Sequence, residues 1–365
     1  MPKRFRPHTI GGGAVLAVLC SLTLPPSASA APAPCPVDEG CAVVVNSDNP
    51  QGRLSSAAFV DRTTDEVRQV SGAKLGANPS AIAVTPDGNT AYVANFGTIA
   101  VGKDTPPQTV TVLDTRTGER VKDIPVGKQP TDVTMSPDGS TVYVVNSGTV
   151  FDPGGVSVIS TATGEVTRTV TGLSNPSALA LSPDGRLAYV TNQENATVSV
   201  MDTGTYGVAD VVPLPEEGLY PTDVTVSPDG SKVFVAGNLN GRVVVLDGRE
   251  PHARPQVVAV PGFGLPQALG LTPDGRSLYV TEAASNEVAV IDTHTMKAAQ
   301  NTIKVGRNPT SVAVSSDGKL AYVTSSLDDT KGLSVIDTAT NSVRRTVSTG
   351  SGPFAVALVD ARLGN

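Results

Sequence analysis

The chain has 365 residues, of which 39% are hydrophobic and 17% charged, with a formal net charge of −7, no tryptophan, 36 glycines and 29 prolines. So much apolar residue at so modest a charge excludes a disordered chain, and the balance of strand and turn formers points to a β-rich fold with a large core. The acidic balance disfavours nucleic acid as a bulk electrostatic partner.

The first thirty residues read as a targeting segment. Lys3, Arg4 and Arg6 form a positive start, Gly11 to Leu24 an apolar stretch, and Ala28-Ser29-Ala30 a small-residue cleavage site. A signal peptide is predicted over residues 1–30, and with it export. Cleavage after Ala30 takes the net charge from −7 to −10. Leu19 stands before Cys20 where a lipid anchor wants a small residue, so the mature protein is expected to leave the membrane. No later apolar run approaches membrane-spanning length. Residues 31–40 read as a linker. Cys35 and Cys41 are expected to pair, the default for two close cysteines in an exported chain, with two free thiols as the alternative.

From residue 41 the chain repeats. One turn recurs six times: Thr85-Pro86-Asp87-Gly88, Ser136 to Gly139, Ser182 to Gly185, Ser227 to Gly230, Thr272 to Gly275, and Ser315-Ser316-Asp317-Gly318. Successive aspartates fall 51, 46, 45, 45 and 43 positions apart. Proline sets the first corner, aspartate accepts backbone hydrogen bonds and glycine supplies the positive φ, so each turn joins two antiparallel strands. A proline and an alternating run precede each turn, as in Pro130 to Met135. A β-rich run with a polar end follows, as in Ala188 to Asn192. Third runs such as Val198 to Asp202 and fourth runs such as Glu165 to Val170 complete the unit. Four strands in about 45 residues is the period of a propeller blade. Ala42 to Asn46, Ser55 to Asp61 and Glu66 to Val70 match second, third and fourth strands, whereas Gly352 to Leu358 matches a first strand with no successor. The expected fold is therefore all-β: a seven-bladed β-propeller over residues 41–365 with four-stranded blades. One C-terminal strand joins three N-terminal strands to close the ring and remove its free edges.

Ala188-Tyr189-Val190-Thr191-Asn192 resembles the signature of the YVTN β-propeller repeat family, with variants at Ala91 to Asn95, Val142 to Asn146, Leu278 to Glu282 and Ala321 to Ser325. Val110 to Thr115 and Leu333 to Thr338 carry the family's other recurring hexamer. The resemblance, covering residues 41 to 360, is to the YncE-like and surface-layer-associated branch. It implies the fold and leaves activity open, because the repeated residues are scaffold and related propellers include lactonases, lyases and redox subunits.

The turns lie on one face of the disc. The opposite face collects the first-strand prolines, the second-strand ends and the loops of unequal length after them, and a ligand is expected there. Two positions after the proline the inner strands read Ala81, Asp132, Ala178, Asp223, Ala268, Ser311 and Ala355. Asp132 and Asp223 are candidates for binding a cation or polar ligand at the channel mouth; the alternative is hydrogen bonding within each aspartate's own blade. Glu282 stands where Asn46, Asn95, Asn146, Asn192 and Ser325 end other second strands; Glu282, Asn95, Asn146 and Asn192 are candidates for ligand binding on this face, and the alternative for Glu282 is a solvated rim charge. Tyr220, Phe263, Leu265 and Phe354 are candidates for an apolar lip.

The mature chain keeps two histidines, His252 and His294, both away from the inner strands, and has neither a nucleophile-elbow motif nor a phosphate-binding glycine loop. The leading reading is a secreted, monomeric, non-catalytic binding propeller that presents its loop-rich face to a protein, glycan or small-molecule ligand of the cell envelope. The alternative is a lactonase-like hydrolase or lyase using a divalent cation held by Asp132, Asp223 and Glu282. Oxygen ligands alone would favour Ca2+ or Mg2+.

Overall fold

The computed structural model describes residues 35, 40–47, 55–69, 74–97, 108–149, 154–215, 219–238, 241–261, 264–328 and 332–360. All lie in the compact unit Ala33–Asn365. The predicted signal peptide and Phe263 fall outside the described residues. Among the described residues no helix is long and apolar enough to cross a membrane.

Seven antiparallel sheets form the blades. Blade one takes its first strand from the C-terminal end, Pro353–Val359, which pairs with Cys41–Asn46; Ser56–Asp61 and Val67–Gln69 follow outward. The other six blades run in simple chain order. Their first strands are Pro79–Val84, Pro130–Met135, Pro176–Leu181, Pro221–Val226, Pro266–Leu271 and Pro309–Val314. These and Pro353–Val359 touch in ring order around the axis. In blade six the fourth strand is broken into Lys297–Ala298 and Ile303–Lys304, both paired with Glu287–Asp292.

Each Asp-Gly turn is built as its residues require. In the first, Asp87 accepts from the Thr85 hydroxyl and the Asn89 N–H, and Gly88 takes φ +68°. The turns also interlock: a Cβ on Gly139 would meet the Pro86 ring of the preceding blade at 2.8 Å.

The core lies between blades. Seven buried clusters form, one at each blade interface. Second strands contribute to two of them at once. Val142 and Val144 pack toward blade two, while Tyr143 and Val145 pack toward blade four. Burial on both faces explains why these strands are apolar throughout rather than alternating. Cys35 and Cys41 are joined, with their Cα atoms 5.4 Å apart, and both are buried in the cluster between blades one and two. The disulfide fastens the chain to the first residue of Cys41–Asn46.

Candidate functional site

The face opposite the Asp-Gly turns is built from one repeated connection. In every blade the first-strand proline pairs with the end of the second strand: Pro79 with Asn95, Pro130 with Asn146, Pro176 with Asn192, Pro221 with Gly237, Pro266 with Glu282, Pro309 with Ser325 and Pro353 with Asn46. The residue after each second strand donates its N–H to the residue before the proline, as Gln193 does to Asn175, Asn238 to Tyr220 and Ala283 to Leu265. Side chains can therefore be compared position by position over one backbone.

The asparagines at the second-strand ends are buried and turn their amides inward. Asn95 Nδ2 donates to Thr111 Oγ1 (2.9 Å), Asn146 Nδ2 to Ser157 Oγ (3.0 Å), Asn192 Nδ2 to Thr197 Oγ1 (3.0 Å) and Ser199 Oγ (2.9 Å), and Asn46 Nδ2 to the Thr349 carbonyl (2.8 Å). These bonds tie second strands to third strands, and in blade one to the segment leading back to the C-terminal strand.

Asp132 and Asp223 do the same kind of work between blades. Asp132 Oδ1 accepts from Val133 N (2.8 Å) and Oδ2 from Leu179 N of blade four (2.8 Å). Asp223 repeats this with Val224 N (2.8 Å) and Leu269 N of blade six (2.7 Å). The receiving strands are bulged: pairing passes directly from Pro176 to Leu179 and from Pro266 to Leu269. The N–H groups that the bulge displaces from the ladder, those of Ala178 and Ala268, are met by the Thr191 and Thr281 hydroxyls. The bonds thus extend beyond each aspartate's own blade, the arrangement considered from sequence, to the next. Burial pushes the Asp132 carboxyl up to about 6, against the pull of its two N–H partners. Burial and then the Asp132 charge push Asp223 up to about 7. Each carboxylate keeps acceptor capacity beyond its two N–H bonds.

Blades five and six depart from the repeat. Before the proline, where blades two, three, four and seven carry Asn78, Gln129, Asn175 and Asn308 and blade one carries Gly352, they have Tyr220 and Leu265, which are 38% and 36% exposed. At the second-strand end they carry Gly237 and Glu282. Glu282 is fully buried, and among the described residues neither carboxyl oxygen has a partner. Burial, and then Glu287, push its carboxyl up to about 8. It packs on Gly264, where a Cβ would come within 1.3 Å of Oε2. The expected lip is present in part: Tyr220 and Leu265 are exposed, and Phe354 is half-buried. Exposed Leu327 (59%), which sequence reading missed, lies on the same face, hydrogen-bonded to the Arg307 carbonyl. In the sequence, Tyr220, Leu265 and Glu282 are marked by the break in the repeat, and Leu327 is not.

Asp132, Asp223 and Glu282 do not meet as one cation site. Among the described residues no group of three or more histidine, cysteine, aspartate or glutamate side chains is placed to hold a metal ion. The reason is positional: the aspartates sit on first strands, whereas Glu282 is enclosed at the end of a second strand. His252 lies against Asp210 (2.7 Å), and His294 follows a third strand at Asp292.

Comparison with known proteins places the chain among propellers. It resembles a crystal structure of a candidate 6-phosphogluconolactonase from Bacteroides uniformis at 17% identity and a TM-score of 0.71, covering 88% of this chain and 100% of that one. The periplasmic gluconolactonase of Pseudomonas aeruginosa matches at 22% identity and a TM-score of 0.71, with 88% and 99% covered. Hydrazine synthase of Kuenenia stuttgartiensis matches at 24% and 0.66, with 86% and 99% covered. At these identities the likeness is one of fold. No curated protein matches the sequence. Residues 48–261 match the SMP-30/Gluconolactonase/LRE-like region and residues 215–362 the YNCE-like β-propeller. With over half of its length matched by the first, the chain belongs to the SMP-30/gluconolactonase/LRE-like family and carries a YNCE-like β-propeller in its C-terminal part.

Proposed function

We propose that the protein is an exported, monomeric binding propeller that takes a hydroxylated ligand, a glycan or sugar acid, on the face where the first strands begin. One observation carries this reading: in blades five and six both positions on that face, the residue before the proline and the second-strand end, leave the repeat, beside Asp223. A scaffold residue is repeated because every blade needs it, and a residue that breaks the pattern in one sector serves something else. Tyr220 offers an aromatic surface on which the C–H face of a sugar can lie, and the carboxylates of Asp132 and Asp223 have acceptor capacity for hydroxyls. Export rests on the predicted cleavage site at Ala28-Ser29-Ala30.

The test is a glycan and sugar-acid panel followed by calorimetry of any hit. Tyr220→Ala should weaken binding by about ten-fold or more, as removal of a hot-spot aromatic does. A panel without a hit, or a hit untouched by Tyr220→Ala and Asp223→Asn, overturns the reading.

Family membership and the raised Asp223 carboxyl support a second reading, hydrolysis of a sugar lactone with Asp223 exchanging the proton. Base uptake on adding glucono-δ-lactone, lost in Asp223→Asn, would favour it over simple binding. No uptake above the spontaneous rate would exclude that substrate.

A further inference from the structure

Blades four and six have the same hairpin between their second and third strands, displaced by 90 residues. Asn192 pairs with Thr197 in one and Glu282 with Glu287 in the other. Ala196 and Asn286 occupy the same left-handed corner, at φ +50° and +61°, and their carbonyls accept from Leu214 and Val305. Over this shared backbone the side chains differ in kind.

In blade four the hairpin is a closed network. Asn192 donates to the hydroxyls of Thr197 and Ser199, and Thr197 donates to Asn195 Oδ1 at 2.8 Å. In blade six Asn192, Asn195, Thr197 and Ser199 are replaced by Glu282, Ser285, Glu287 and Ala289. The amide donor has become a carboxylate, and the hydroxyl that received it has become a second carboxylate. Both oxygens of Glu282 and the Ser285 hydroxyl are buried without a partner among the described residues. Lys304 lies across from Glu287 on the fourth strand, and no ion pair joins the two among the described residues. Two like charges directly opposed on neighbouring strands are destabilising, and so is an unpaired buried carboxylate. What the hairpin lacks is positive charge or donors, and the groups it offers are all oxygen.

We propose that the blade-six hairpin binds a calcium ion through Glu282, Ser285 and Glu287. Two carboxylates and a hydroxyl form a hard-oxygen set, and a flexible coordination sphere that also accepts carbonyls and water suits calcium better than magnesium, which demands near-octahedral geometry. The ion replaces the donors that the asparagine and threonine supply in blade four. It fixes the hairpin that follows Glu282, where Ala283 donates to the carbonyl of exposed Leu265. The site is separate from Asp132 and Asp223 and does not depend on which ligand the face takes.

The experiment is calcium titration of the full mature chain, stripped with EDTA, by calorimetry and by thermal melting. Wild type should bind one calcium ion and melt higher with calcium than with EDTA. The Glu282→Asn, Glu287→Thr double variant rebuilds the blade-four pair; it should fold, bind calcium at least about ten-fold more weakly and melt at a calcium-independent temperature. If that variant does not fold, Glu287→Gln alone, at a half-buried position, should show the same loss. Wild type that neither binds nor melts higher with calcium overturns the proposal and leaves a proton on Glu282 as the compensation. Calcium binding of undiminished affinity in a folded hairpin variant also overturns it, by placing the ion elsewhere.

Discussion

Asp132 and Leu179 stand 47 residues apart and are joined by a 2.8 Å hydrogen bond from the Leu179 N–H to Asp132 Oδ2, across the boundary between blades three and four. The same bond recurs between Asp223 and Leu269 across the boundary between blades five and six. At the seam between blades seven and one, Ser311 Oγ accepts from Val356 N at 3.4 Å. A polar residue two places after the proline is therefore an acceptor for the third residue after the next blade's proline. Leu179 and Leu269 are the residues at which pairing resumes after each bulge.

Removing the acceptor should cost what an unpaired, poorly solvated N–H costs. Asp132→Ala is expected to destabilise the protein by about 1–3 kcal/mol at pH 5, with Asp132→Asn in between because it keeps one acceptor oxygen. Urea denaturation of the three proteins would check this, and an Ala variant as stable as wild type would contradict it.

The raised carboxyls set a pH window. Folded Asp132 and Asp223 hold their protons up to about 6 and about 7, above the ordinary 3.8, so the folded state binds more protons than the unfolded one between those values. Their contribution to stability is complete below about pH 4 and lost as pH rises through 6 and 7. Turn carboxyls such as Asp138, held down at about 2 by the Ser136 hydroxyl and the Ser140 N–H, act in the opposite sense and only below about pH 4. In EDTA, the melting temperature of wild type should fall relative to Asp132→Asn, Asp223→Asn between pH 4 and 7.5. Parallel profiles would show that the pair is not perturbed.

Gly264 is required by a close approach, since any Cβ would collide with Glu282. Gly264→Ala should cost upward of about 3 kcal/mol, more than a loop glycine ordinarily does. Adding Glu282→Ser, the residue type at this place in blade seven, should recover much of it. Thermal melts of the single and double variants decide this; simple additivity of the two changes would refute the packing argument.

A chain ending at Ser351 lacks the first strand of blade one. Cys41–Asn46 would lose its pairing with Pro353–Val359, and the clusters on both sides of blade one would open. The expected outcome is loss of the cooperative transition of the whole ring, followed by near-ultraviolet circular dichroism. A truncated chain melting like the full one would mean that closure contributes little.

The sequence by itself determined the seven-bladed ring, its strand order, its C-terminal closure and the face on which the prolines and second-strand ends gather. Those features are local: turn chemistry at Pro-Asp-Gly, a strand period of two and a repeat near 45 residues can each be read within one blade. It also marked the positions that break the repeat, Tyr220 and Glu282 among them. What those positions touch was decided only by the tertiary structure. Asp132 takes the Leu179 N–H of the next blade, and a donor 47 residues away leaves no mark in the sequence at Asp132. Glu282 looked like a rim charge because second-strand ends are polar; burial between its own third strand and Gly264 makes it an enclosed acid facing Glu287. Strands follow from nearest neighbours along the chain, whereas the state of a carboxyl follows from what packs around it in space.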